Sequence, residues 1–361
     1  MTAEMQKAYD DAAIPFAESG GAIAMEHTRL KSWRYFLEVN SVCNLHCPTC
    51  TKGNQKGYDH LTGVMEPELM EKILDKIASE NPNAIVFLYG NSEPFLHPRL
   101  PECIAAIKRR GLHPEFSTNL NFIQRVDETL AEQPDMIIIS LSGFTQEVYE
   151  KGHAGGKIEK VMANMVTIAE ANAKLNPKVR IAVNYHVYND NGHEIELMKE
   201  YATGLGIEFF TSLARAISME NAIQYCRSKD PLAAPFEIQA GRPDWNTALP
   251  PVGQTYIDTM QRLKIPPDQA RELYTHHPMR EVCPVGAGSM FTFIRHDGKT
   301  SMCACVADRR ITVGDYLDTT PDQMIEQRTG HSICKQCLFY RTNLYFHIVD
   351  RAKWRTDEIT D

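Results

Sequence analysis

Between residues 34 and 212 short apolar runs alternate with amphipathic stripes, and this alternation limits the fold more than any other feature of the chain. Residues 34–40, 84–89, 112–117, 136–141, 179–188 and 207–212 read as strands, several of them apolar throughout as in a buried parallel sheet. Between them Leu69, Met70, Ile73, Leu74 and Ile77 recur at helical spacing. Leu100, Cys103, Ile104 and Ile107 do the same ahead of Gly111, followed by Ile158, Val161, Met162, Met165 and Ile168. Residues 194–204 complete the helical set. Strand and helix in strict turn imply a parallel sheet with helical crossovers. The predicted fold class is α/β, a partial (β/α)6 barrel over residues 34–215. The unusual residues fall just past the strand ends: Gly90-Asn91-Ser92-Glu93-Pro94, Thr118-Asn119, Ser140, Ser142-Gly143, Tyr188-Asn189-Asp190 and Arg215. In barrels the active site is built on that face, on loops held by rigid strands.

The loop after the first strand carries Cys43, Cys47 and Cys50, a C-x3-C-x2-C spacing. It puts three thiolates on one tight loop. Thiolates are the usual ligands of iron–sulfur clusters; three of them leave one iron of a cubane open, and an open metal position is where chemistry can take place. Zinc, with His46 or a distant residue as fourth ligand, and three purely structural thiols are the competing readings. Ten cysteines, eight of them in the two groups 43–50 and 283–337, favour metal ligation in a reducing compartment over disulfides.

The cysteine loop and its context resemble the radical S-adenosylmethionine (SAM) superfamily. In that family the unique iron of a [4Fe–4S] cluster binds the amine and carboxylate of SAM, and one electron cleaves SAM to methionine and a 5′-deoxyadenosyl radical. The resemblance implies the open barrel, and extends to Gly90-Asn91-Ser92-Glu93-Pro94, which is similar to the family's Gly-Gly-Glu-Pro segment with Asn91-Ser92 in place of the second glycine. By that likeness Gly90, Ser92 and Glu93 hold the methionine end of SAM. A turn residue capping the next helix is the plainer reading of Glu93. Ser117-Thr118-Asn119 and Ile139-Ser140-Leu141-Ser142-Gly143 resemble further SAM-contacting segments, which nominates Thr118, Asn119 and Ser140. Two departures stand out. Thr49 occupies the position before the third cysteine that is commonly aromatic, and the helix after strand four lacks the family's arginine, leaving Arg215 or Lys151 to balance the SAM carboxylate.

In the second group, residues 291–294 and 300–302 flank His296-Asp297-Gly298-Lys299 and read as a hairpin with Asp-Gly at its turn. The hairpin is expected to bring Cys283 and Cys303 together, while Cys334 and Cys337 share one turn. Four thiolates complete a cluster, and the arrangement resembles the SPASM/twitch extension of radical SAM enzymes in its shortened form with one auxiliary [4Fe–4S] cluster. Cys305 faces the same side as Cys303 and is an alternative ligand; zinc is an alternative metal. The organisation expected is thus an N-terminal extension at 1–33, the barrel at 34–215, a connecting or cap segment at 216–282, a small cysteine-rich twitch-like domain at 283–345 and a tail at 346–361. Cys103 reads as a core thiol and Cys226 as a buried cysteine before a hydrogen-atom donor. Glu208, Asp190, His186 and Asp308 are of the right type for a general base but read more simply as solvated or capping groups.

A net charge of −8 without a basic tract argues against nucleic acid as partner. No apolar stretch is long enough to span a bilayer, and the acidic start lacks a signal-peptide pattern, so a cytoplasmic location is expected. The resemblance implies a small-molecule or peptide substrate and a flavodoxin- or ferredoxin-type electron donor. Hydrogen abstraction from a small polar substrate, as in sugar or aminocyclitol oxidation, is the first expectation. Cross-linking or epimerisation of a ribosomally made peptide is the second; the stretch before the first strand is short for a peptide-recognition domain. A non-catalytic zinc-binding protein is the third.

Overall fold

The structure is a computed structural model that describes residues 34–53, 62–229, 253–273, 283, 291–309, 311–343 and 345. The expected extension at 1–33, the tail at 346–361 and much of 216–282, including Asp244-Trp245 and Leu249-Pro250-Pro251, lie outside these residues.

The six predicted β/α units are present. β1 (Arg34–Leu37), β2 (Ile85–Phe87), β3 (His113–Thr118), β4 (Met136–Leu141), β5 (Arg180–Val187) and β6 (Glu208–Leu213) lie side by side in chain order and pair in parallel. The crossovers are α1 (Pro67–Glu80), α2 (Leu100–Lys108), α3 (Val126–Ala131), α4 (Gln146–Gly152), α5 (Ile158–Ala173) and α6 (Ile195–Gly204). The stripe read from the sequence explains α1: Met70, Ile73, Leu74 and Ile77 are buried, and Pro67 starts the helix at a position where its missing N–H costs nothing. Tyr35, Leu37 and Val39 join Ile73, Leu74 and Ile77 in the core between sheet and helices. Strand geometry then turns Phe36 and Glu38 to the opposite face, the interior of the barrel. There Phe36 stacks on Phe87 at 4.8 Å, and Tyr89 meets both rings edge-on.

Beyond β6 come α7 (Met219–Lys229), α8 (Gln254–Arg262) and α9 (Pro267–Leu273), then β7 (Phe291–Ile294), β8 (Lys299–Ser301) and β9 (Thr312–Asp315), and last α10 (Pro321–Gly330) and α11 (Ser332–Phe339). The expected hairpin forms, with Gly298 at a positive φ of 78° in its turn. It is not set apart from the barrel. β7 runs parallel to β1, Phe36 opposite Phe293, so one sheet runs β6-β5-β4-β3-β2-β1-β7-β8-β9. The join is reinforced from α1. Lys76 Nζ donates to the carbonyls of Tyr316, Leu317 and Thr319 and lies over the Tyr316 ring, while Glu80 accepts from the hydroxyls of Tyr35 and Tyr316. No helix among the described residues is long and apolar enough to cross a membrane.

Candidate active site and thiol clusters

The three N-terminal thiols sit at the carboxyl end of β1 on a loop closed by its own backbone: Cys50 N donates to Cys47 O at 3.0 Å and Gly53 N to Cys50 O at 3.2 Å. All three cysteines are half-buried. Burial pushes the Cys47 thiol well up, and nearby Cys50 and Cys43 push it further, as happens when thiols of like charge are gathered. The Asn119 amide donates to Cys43 Sγ at 3.8 Å and Cys50 Sγ approaches Asn91 Oδ1 at 4.0 Å. The His46 side chain is exposed. A single zinc ion needs its thiolates about 2.3 Å from one point, whereas a cubane gives each thiolate its own iron. Among the described residues no three His, Cys, Asp or Glu side chains gather as ligands of one ion. Three half-buried thiols on one strand-end loop are the donor set that a cluster held by three thiolates needs.

The loops after β2 and β3 are locked to this one. Asn40 donates to Glu93 O and accepts from Val42 N, and Glu93 N donates to Val42 O. The Glu93 side chain is buried and accepts three internal hydrogen bonds, from Phe95 N at 3.1 Å, Thr118 Oγ1 at 2.7 Å and Asn119 N at 2.7 Å. Burial still raises its pKa to about 7. Glu93 thus caps the short turn Pro94–Leu96 and ties two strand-end loops together; it does not cap the following helix α2, as the plainer reading expected, where Arg99 takes the capping position without a side-chain bond. Ser92 Oγ is buried with no hydrogen-bond partner among the described residues, an orphaned hydroxyl at the place where a cofactor contact is expected. Gly90 admits no side chain, since a Cβ there would lie 2.5 Å from Phe293 Cζ. Ser140 Oγ meets Ser117 Oγ at 2.8 Å across β3 and β4. The predicted Gly90, Ser92, Glu93, Thr118, Asn119 and Ser140 are thereby placed at neighbouring strand ends. Arg215 is half-buried beyond β6, where its charge acts on Tyr345. Lys151 is half-exposed and paired with Glu147.

In the second group the four predicted ligands feel one another. Burial raises the Cys334 and Cys337 thiols, and Cys303 and Cys283 raise both further. Cys334 and Cys337 lie one turn apart on α11, which presents both to one side. Cys305 meets the group through Cys303, whose pKa is lowered chiefly by the Cys305 hydrogen bond. Arg328 of α10 is buried within reach of Cys303, Cys334 and Cys283. Four thiols beside a buried cation suit an anionic cluster. Cys103 and Cys226 are buried, Cys103 beside His97 Nδ1 at 3.9 Å.

Three features escaped the sequence. Glu38, on the interior face, pairs with Arg309 at 2.8 Å and lies 3.5 Å from His296. Ser212 donates to Asn184 across β5 and β6, and Asn184 meets His186 at 3.2 Å. Finally, α8 docks on the end of β5: Arg262 pairs with Asp190 at 2.9 Å and covers the Tyr188 ring, whose hydroxyl is 3.5 Å from Thr49 Oγ1. All three join residues remote in sequence, so no local pattern signals them.

Residues 37–202 match the Radical SAM superfamily. The tungsten-containing aldehyde ferredoxin oxidoreductase cofactor-modifying protein of Pyrococcus furiosus is 28% identical over 181 residues, covering 48% of this chain and 49% of that protein. The chain thus spans about half the length of this relative. Streptococcus suis SuiB bound to precursor peptide SuiA superposes with a TM-score of 0.52 at 9% identity, covering 88% of this chain and 70% of that one, a likeness of fold. anSMEcpe with bound AdoMet gives 0.49 at 12% identity, covering 84% and 82%.

Proposed function

Because residues 37–202 match the radical SAM superfamily, we propose that the protein reductively cleaves SAM and abstracts a hydrogen atom from a small polar substrate. The observation that carries this reading is the trio Cys43, Cys47 and Cys50, gathered beside the locked strand-end loops of a parallel barrel. A [4Fe–4S] cluster with SAM, when bound, supplies a 5′-deoxyadenosyl radical. The chain's own residues do the rest. Cys43, Cys47 and Cys50 would hold that cluster. Glu93 fixes the loops of Gly90, Ser92, Thr118 and Asn119 so that backbone groups and the Ser92 hydroxyl face the methionine end, with Ser140 alongside. Arg215 supplies positive charge on the β6 side. The aromatic wall of Phe36, Phe87 and Tyr89 and the polar Glu38, Asn184 and His186 line the interior, while α8 closes over the β5 end and limits water. Cys283, Cys303, Cys334 and Cys337 are the ligands of an auxiliary cluster. Oxidation of a sugar or aminocyclitol alcohol is the outcome carried over by resemblance, with a flavodoxin- or ferredoxin-type donor.

A second reading, modification of a cofactor, draws support from the Pyrococcus furiosus relative, a cofactor-modifying protein. One experiment separates both from a zinc protein. Protein reconstituted without oxygen is expected to hold about eight irons with equal sulfide per chain and to form 5′-deoxyadenosine under strong reductant. Cys47→Ala abolishes that product, whereas Cys334→Ala loses about half the iron and still cleaves SAM. A zinc-only protein, or normal cleavage by Cys47→Ala, refutes the assignment. Deuterium transfer from labelled substrates into 5′-deoxyadenosine identifies the substrate.

A further inference from the structure

Glu220, at the start of α7, is a fully buried carboxylate that the reaction proposed above does not use. Its Oε1 accepts from the backbone N–H groups of Ala307 and Asp308, both at 2.8 Å. Its Oε2 accepts from Ala307 N at 3.0 Å, with Ser218 Oγ at 3.4 Å. These amides belong to the 303–308 turn, which carries Cys303 and Cys305. One residue earlier, Met219 N donates to Cys305 O at 2.7 Å, and two before that Ile217 N donates to Thr49 O at 2.7 Å, next to Cys50. Residues 217–220 therefore grip both cysteine loops. A glutamine would keep the two 2.8 Å amide bonds through its single carbonyl oxygen, giving up only the weaker one to Oε2, without the cost of burying a charge. A carboxylate does something more: it places a buried negative charge on the amides of the turn that carries Cys303 and Cys305.

We propose that Glu220 is the positioning residue of the auxiliary thiol site, holding the 303–308 turn ready for the metal and lowering the reduction potential of the cluster it receives. The proposal rests on the auxiliary cluster described under the proposed function. Wild type, Glu220→Ala and Glu220→Gln, each reconstituted as the full chain, are compared by iron and sulfide content, electron paramagnetic resonance and redox titration. Glu220→Ala is expected to fall from about eight irons to about four while the N-terminal cluster signal persists as a check on folding. Glu220→Gln keeps its iron, but its auxiliary cluster titrates at a more positive potential. Full iron with an unchanged auxiliary signal in Glu220→Ala overturns the proposal, as does an unshifted potential in Glu220→Gln, which decides alone if Glu220→Ala does not fold. A wild type with only four irons overturns the auxiliary-cluster reading and this proposal with it.

Discussion

Single residues show how much of the site is arranged by burial. His153 follows α4, stacked on Tyr149 at 4.9 Å and bonded through Nδ1 to Ser142 Oγ at 2.7 Å. Burial depresses its pKa from 6.5 to about 4, so it is neutral in the folded protein. The unfolded chain then binds the proton first, and stability is lost as pH falls from 6.5 towards 4. A shift of that size is worth about 3 kcal/mol at its full extent. His153→Phe keeps the stack and cannot charge. In urea titrations the acid loss of wild type relative to this variant should therefore grow by about 3 kcal/mol between pH 7 and pH 4, and parallel pH profiles would contradict it. At this scale the cysteines were the legible part, because ligand spacing is local. Glu93 was legible as a position, but its carboxylate turned inward to three donors, which only the fold displays. Glu220 was invisible, since its partners lie far along the chain.

Elements were legible in proportion to their apolar content. The six barrel strands and α1, α2, α5 and α6 carry clear periodic patterns, and the structure places them within a few residues of the expected bounds. The short α3 and α4 and the polar α10 have no stripe wide enough to read. Pairing between elements is less legible still. Nothing in the composition of β7 says that it lies against β1, and α1 reinforces that pairing through Lys76 and Glu80. Lys76→Ala leaves the carbonyls of Tyr316, Leu317 and Thr319 without their charged donor. Hydrogen bonds to a charged group are worth about 1.5–3 kcal/mol, so the variant should lose about 2 kcal/mol by urea unfolding. A change below the resolution of that measurement would mean that the β1–β7 pairing and the Glu80–Tyr35–Tyr316 contacts hold the join without Lys76.

For the whole molecule the consequence is that the cysteine-rich region and the barrel share one sheet. A chain ending at residue 282 removes β7, β8 and β9 and leaves β1 with an unpaired edge. Bare parallel edges invite pairing with other chains. This truncated protein is expected to aggregate on size-exclusion chromatography, even though it retains all six β/α units and the N-terminal thiol trio. A monodisperse, iron-loaded truncated protein would show that the barrel stands alone.

The order of that sheet also sets a timetable for biosynthesis. β1 is among the first strands to leave the ribosome, and the strand that covers its open flank is among the last. At translation speeds of about 5–20 residues per second the nascent barrel waits many seconds, its first strand half-clothed and its cysteine loop already outside. The flank of β1 stays open until β7 has been made and has docked.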